Sequence, residues 1–286
     1  MVETLLTPQD LGQALSMVRT DPAAAFLAGG TYLLTSQFSR EKMNLISLDL
    51  VTPRSISREA TKEGPFLSIG AGATFQDLLD SPIVPKQIKK ACSSMVDRNI
   101  RNRATVGGNI GADKSCASLV PLFIALGSIY RCAEGMDVEA AAWHKKERVA
   151  NPSALSAKAA QRLVLQVLVP LGRNIFCAFA RYSRTGCDLS VLTCAVSAKK
   201  KEGLIDPESL ALCLGGLGPK AERYTSLERD LAASLVDGAI PDKGTIEALA
   251  RSHFSPISDT RGSAEFKRLR AGILLADALH SLEALA

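Results

Sequence analysis

Arg101-Asn102-Arg103-Ala104-Thr105-Val106-Gly107-Gly108-Asn109-Ile110 is the stretch whose reading decides the fold. One predicted helix precedes it and another follows it. Two adjacent glycines between a threonine and an asparagine let the backbone turn tightly and keep side chains away from a ligand. Open N–H groups there suit a pyrophosphate, and Thr105 and Asn109 add side-chain hydrogen bonds. A second pair, Ala28-Gly29-Gly30-Thr31, lies upstream in a similar setting. Two such loops are enough for the two phosphates of one dinucleotide. A pair of structural turns reads the local sequence equally well.

Working outward, the chain of 286 residues is 47% hydrophobic, which allows one large domain or two modest ones with a real core. No apolar run reaches the length of a membrane span. Met1 to Pro8 lacks the basic-then-apolar order of a secretory signal. The net charge of +5 is mild and scattered. Lys145-Lys146 and Lys199-Lys200-Lys201 read as solvated loops, and the lack of interleaved aromatics argues against nucleic acid. None of the seven cysteines forms a C-x-x-C pair. They read as reduced, mostly buried thiols of a cytoplasmic protein without its own zinc or iron–sulfur centre. His144, His253 and His280 make no ligand pattern, and each reads as exposed or satisfied.

Thr7-Pro8 reads as an N-cap with proline at the first helical position, and Leu11, Ala14, Leu15 and Val18 give one apolar face. Ala24–Leu27 is a predicted strand, Tyr32 to Arg40 a predicted helix and Leu45–Leu48 a second strand. Residues 1–52 thus form a small βαβ-like lobe with its glycine loop where a strand ends and a helix begins. Phe66–Ile69 is a strand. The Gly70-Ala71-Gly72-Ala73-Thr74 that follows is no Rossmann fingerprint, because Phe75 stands where the third glycine belongs. Thr74 reads as the N-cap of a helix over Phe75–Leu79, and Pro85 to Met95 as another helix. Leu119–Leu126 is a buried helix with Pro121 in its first turn. Ile129–Cys132, Leu163–Pro170 and Phe176–Tyr182 read as strands. Val191–Ala198 is a strand or short helix. Gly215 to Lys220 lacks the Gly-Lys-Ser/Thr ending of a P-loop and reads as a strand-to-loop turn. A final helix starts near Ser263, with Phe266, Leu269, Ile273 and Ala276 on its apolar stripe.

Together, the two glycine loops resemble the FAD-binding subunit of molybdenum hydroxylases, the relatives of xanthine dehydrogenase and aerobic carbon monoxide dehydrogenase. Arg181-Tyr182-Ser183-Arg184 with Cys187-Asp188-Leu189-Ser190 is similar to the opening of that family's C-terminal domain. Asp259 to Lys267 is similar to its last-helix entry. The resemblance covers nearly the whole chain. It implies an α+β fold: a two-lobed, PCMH-type FAD-binding region over 1–172, with lobes of about 1–52 and 53–172, then a smaller C-terminal α/β domain over 173–286 with a small antiparallel sheet. FAD then lies between the lobes. Leu27, Ala28, Gly29, Gly30, Thr31, Tyr32, Leu33 and Leu34 form its first pyrophosphate loop, and Thr105, Val106, Gly107, Gly108 and Asn109 its second. Further contacts fall at Met95 and Val164.

Two departures stand out. Ser118 occupies the place of a usual Asp that accepts from ribose or adenine, and Ala180 that of a frequent Lys. Arg181 points to the opposite face of the strand, and Asp113, in another register, is the nearest replacement carboxylate. The implied role is electron transfer without a catalytic acid or base on this chain. A molybdenum subunit oxidises substrate, and a [2Fe–2S] subunit of the hetero-oligomer passes electrons to FAD. FAD passes them to NAD or another acceptor. The alternative is a scaffold subunit of the same assembly with a degenerate FAD site.

Overall fold

The computed structural model describes residues 2–21, 23–34, 43–62, 64–95, 97–145, 160, 162–172, 174–236 and 238–285. Three sheets organise it, and the chain builds them in order.

The first is parallel, with β1 (Val2–Leu6) and β2 (Ala24–Leu27) flanking β3 (Met43–Ser47) in the order β1-β3-β2. Parallel neighbours require crossovers. One crossover is helix α1 (Leu11–Thr20), which buries Ala14, Leu15 and Val18. The cap of α1 is Asp10, whose carboxylate accepts from Gln13 N at 2.8 Å, not the expected Thr7. The residues after the first glycine pair form a turn over 31–34; the rest of the helix expected there, to Arg40, lies outside the described residues, as does Lys146.

The second sheet is antiparallel, in the order β4-β5-β8-β6-β7: β4 (Ile56–Thr61), β5 (Gly64–Gly70), β6 (Ile129–Cys132), β7 (Asp137–Glu139) and β8 (Val164–Pro170). Short helices attend it among the described residues. They are α2 (Phe75–Asp80), α3 (Lys86–Ser93), α4 (Arg98–Arg101), α5 (Val106–Ala112), α6 (Val120–Ala125) and α7 (Ala140–Lys145). Thr74 caps α2 as expected, with Asp77 returning the bond.

The third sheet centres on β10 (Leu192–Lys201). β9 (Ile175–Tyr182), β11 (Leu204–Ile205) and β12 (Ala211–Gly215) pair antiparallel with it, and β13 (Glu222–Arg223) pairs with β12. Helices α8 (Thr225–Ser234), α9 (Lys243–His253) and α10 (Ala264–Glu283) cover one face. Cys177, Phe179, Ala195 and Cys213 on the other face join the core of the second sheet. Helix α6 lies in that seam, and every residue of VPLFIA is buried. An all-apolar helix fits there because it has protein on all sides. Burying Phe123 alone contributes about 1.5–3 kcal/mol. All seven cysteines are free thiols, and six of them are buried.

Helix α10 departs from its expected stripe. Phe266 and Leu269 are exposed and Ala276 is buried as expected, while the rest of the buried face runs through Lys267, Ala271, Leu274, Leu275, Ala278, Leu279 and Leu282. Lys267 is fully buried because Asp259 meets its ammonium at 2.8 Å.

Candidate functional site

The stretch 101–110 is not an open loop. Arg101 ends α4, Thr105 caps α5, and Val106-Gly107-Gly108 is the first turn of that helix. Its backbone pairs with the small-residue segment after β5. Phe75 N donates to Ala104 O (2.9 Å), Val106 N to Ala73 O (2.9 Å) and Gly107 N to Ala71 O (2.8 Å). Gly108 N donates to Thr105 Oγ1 at 3.0 Å. The open donors expected along this stretch are therefore already engaged at Val106, Gly107 and Gly108. Small size at Gly107 serves packing, since a Cβ there would stand 2.8 Å from Ala71 Cβ. The run Gly70-Ala71-Gly72-Ala73 is thus the buttress of the second turn, a role that its failed fingerprint gave no hint of.

The first turn meets the second directly. A Cβ on Gly29 would overlap the carbonyl of Arg103, and one on Gly108 would stand 3.4 Å from Ala28 Cβ. Gly30 adopts φ +72°, a left-handed conformation that favours glycine. Its carbonyl accepts from Leu34 N at 3.1 Å. Among the described residues, the N–H groups of Gly29 and Gly30 have no acceptor, although both residues are half-buried. Half-buried donors of this kind need an acceptor from water or a ligand. Asn109 adds another. Its Oδ1 accepts from Leu119 N at 3.2 Å, and its Nδ2 has no acceptor among the described residues. Lys114, just past α5, places Nζ 5.3 Å from the centroid of the Tyr32 ring. The residues present fit an anionic, extended ligand: paired amide donors, an amide side chain and a cation beside turns with little side-chain bulk.

The remaining expected positions are less open. Ser118 is buried, one residue before the backbone that Asn109 holds. Val164 lies in the core at the start of β8, and the next carbonyl, Leu165 O, accepts from Ala71 N at 2.8 Å. Met95 packs against the second-sheet core, and its carbonyl accepts from Arg101 Nη1 at 3.2 Å. Ala180 packs on the helix side of the third sheet, while Arg181, on the other face, donates to Ser190 Oγ (2.8 Å) and to the carbonyl of Asp188.

Asp113 does not stand in for the missing carboxylate. It ends α5 at φ 44° and turns inward, where His144 Nδ1 (2.7 Å) and Lys220 Nζ (3.1 Å) hold it. Burial pushes its carboxyl up, but those two partners outweigh burial and hold it below the ordinary value. Burial also pushes His144 below its ordinary value, against the pull of Asp113. The imidazole is therefore neutral, donating from Nδ1 to the carboxylate and accepting at Nε2 from the Tyr130 hydroxyl (3.2 Å). Lys220 is the charge that balances Asp113. The Gly215–Lys220 cluster is structural: at Gly216, φ is +98° and a Cβ would overlap Val191 O.

A cavity of about 300 Å³ lies between α7 and the segment 218–223 that ends in β13, and no residue of the two glycine turns lines it. Its polar groups are largely spoken for: Lys220 and His144 by Asp113, and Arg223 by Glu228. The two-turn junction, not this cavity, gathers donors without acceptors among the described residues.

Residues 2–172 match the family described as the FAD binding domain in molybdopterin dehydrogenase, and residues 177–282 match the CO dehydrogenase flavoprotein C-terminal domain. The uncharacterized protein YgfM of Escherichia coli K12 is 27% identical over 280 residues, covering 97% of this chain and 95% of that protein. The carbon monoxide dehydrogenase medium chain of Hydrogenophaga pseudoflava is 24% identical over 284 residues, covering 96% and 94%. A solved structure of carbon monoxide dehydrogenase from that organism superposes with a TM-score of 0.82 at 24% identity, over 98% of this chain and 97% of that one.

Proposed function

Because the chain belongs to the family of the FAD binding domain in molybdopterin dehydrogenase, we propose that it is the FAD-carrying electron-transfer subunit of a molybdenum hydroxylase-type dehydrogenase. The observation that supports this most is the junction of the two glycine turns, with the Gly29 and Gly30 N–H groups unspent beside it. In this reading Leu27–Leu34 and Thr105–Asn109 flank the FAD diphosphate. The first turn donates from its backbone, Asn109 donates from Nδ2, and the buttressed α5 fixes the floor. Ser118, Met95 and Val164 shape the surroundings. The division into 1–172 and 173–286 belongs to the same proposal.

The flavin, when bound, supplies the redox chemistry, and the chain binds it, orients it and tunes its environment. Partner subunits carrying [2Fe–2S] clusters and the molybdenum cofactor deliver the electrons, and NAD or another acceptor removes them. The partner with molybdenum selects the substrate, so a xanthine dehydrogenase-like reaction and a carbon monoxide dehydrogenase-like one use this chain in the same way.

Purified protein is expected to show flavin absorbance, or to regain it when FAD is added. A colourless protein that ignores FAD at high concentration rejects this function. One observation favours a second reading, a scaffold subunit with a degenerate site: Ser118 is buried where a carboxylate was expected, and the first-turn donors of α5 are taken. That reading predicts normal assembly with partner subunits and no flavin.

A further inference from the structure

Asn109 can serve the junction only if its carboxamide is aimed, and that aim is set from the far end of the chain. Its Oδ1 accepts from Leu119 N at 3.2 Å. Leu119 closes the strap of residues 113–118 that leads from α5 to α6, so the place of the strap fixes where Oδ1 sits and where Nδ2 points. Within the strap, Ala117 N donates to Lys114 O at 2.9 Å. Further holds come from the region of the third sheet. Lys220 meets Asp113 at 3.1 Å. A Cβ on Gly215, at the end of β12, would stand 2.7 Å from Ser115 O. Arg261 spreads its guanidinium over the middle of the strap: Nη1 donates to Ser115 Oγ (3.4 Å) and Nη2 to Cys116 Sγ (3.8 Å). The mount of Arg261 is stiff. Asp259 accepts from Arg261 N (2.9 Å) and Gly262 N (3.3 Å) and meets the buried Lys267 ammonium, while Arg184 Nη2 donates to Thr260 O (2.6 Å). A planar guanidinium with acceptors on two adjacent residues fixes orientation as well as distance.

We propose that Arg261 is a positioning residue of the flavin site: through Ser115 and Cys116 it holds the strap that aims Asn109 at the FAD diphosphate. The inference rests on the FAD reading above. Arg261 acts through Asn109, so the entry to α10 governs how well the second glycine turn grips its ligand. FAD feels that aim, and riboflavin, which has no diphosphate, does not.

The test is a double-mutant cycle on the full chain. Dissociation constants for FAD and riboflavin are read by flavin fluorescence in wild-type protein, Arg261→Gln, Asn109→Ala and the double variant, with thermal midpoints as a folding control. Loss of one well-aimed hydrogen bond weakens FAD binding about 3- to 10-fold in Arg261→Gln. In the Asn109→Ala background the same change is expected to cost less than about twofold, because the group it aims is gone. Riboflavin affinity is expected to stay unchanged throughout. A loss of equal size in both backgrounds, or one shared equally by riboflavin, makes Arg261 a general brace of the fold and overturns the proposal. So does unchanged FAD affinity in Arg261→Gln or in Asn109→Ala; in each of these cases the FAD function stands. Wild-type protein that binds no FAD ends both. If Arg261→Gln does not fold, Ser115→Ala takes its place in the cycle under the same outcomes. If the double variant does not fold, the comparison of FAD with riboflavin in the single variant decides.

Discussion

Three glycines in the same neighbourhood do three different jobs, and substitution separates them. Gly29 is small because the Arg103 carbonyl occupies the place of a Cβ. Gly29→Ala forces the turns apart at a cost of about 1–3 kcal/mol, and FAD retention should fall with it. Gly30 is set by its backbone angle. Gly111 has open space around its Cβ position inside α5. Gly111→Ala is therefore expected to stabilise the fold by about 0.5–1 kcal/mol, read as a higher urea midpoint. The buried Asp113–His144 pair predicts a pH response. His144 has a folded value below its ordinary 6.5, so the unfolded chain takes up that proton first. Stability is complete above pH 6.5 and falls as the pH drops through it, by at most about 1.4 kcal/mol per pH unit. Asp113, held below its ordinary value of 3.8, adds its loss only at lower pH. His144→Gln should flatten the decline between pH 7 and 5 in urea midpoints measured across that range.

At the scale of elements, α10 shows what an apolar stripe can hide. Its deepest charged residue is Lys267, opposite Asp259. Breaking such a pair from one side costs more than replacing the buried ion by a hydrophobe. Asp259→Ala is expected to cost about 3 kcal/mol and Lys267→Met less than about 1 kcal/mol, both measured by denaturant unfolding. The same helix explains part of what the sequence conceals. A stripe drawn through Phe266 and Leu269 follows hydrophobicity, but the fold uses the adjacent face because a carboxylate from the preceding turn removes the objection to lysine. Elements with a strong local signal were legible: the Thr74 cap, the apolar α6, and strands β5, β6, β8 and β9. Strands β1 and β4 were not, because VETLL and ISREAT are largely exposed and show no clean two-residue alternation. The candidate site shows in the sequence as two glycine pairs, and the structure brings those two turns together. The spent donors of α5 were not legible, since they depend on Ala71 and Ala73 arriving from β5.

At the scale of the molecule, the second and third sheets share one core. Phe179, Cys177, Ala195 and Cys213 pack with α6 and Tyr130, while Ala133, Ala160 and Leu163 from the region of the second sheet close the core of the first. A fragment ending at residue 172 leaves α6 uncovered on one side. It is expected to bind a hydrophobic dye and unfold without a sharp transition, whereas the full chain does neither. Ligand binding to the folded chain alone should raise the thermal midpoint, by the equivalent of about 2.7 kcal/mol at a hundredfold excess of FAD over its dissociation constant. The internal hydrogen bonds from Val106, Gly107 and Gly108 have a consequence for biogenesis. A receptor that completes its own scaffold does not wait for its passenger. On the function proposed above, the second turn is held in place by protein alone, which leaves the step that adds flavin free to follow folding.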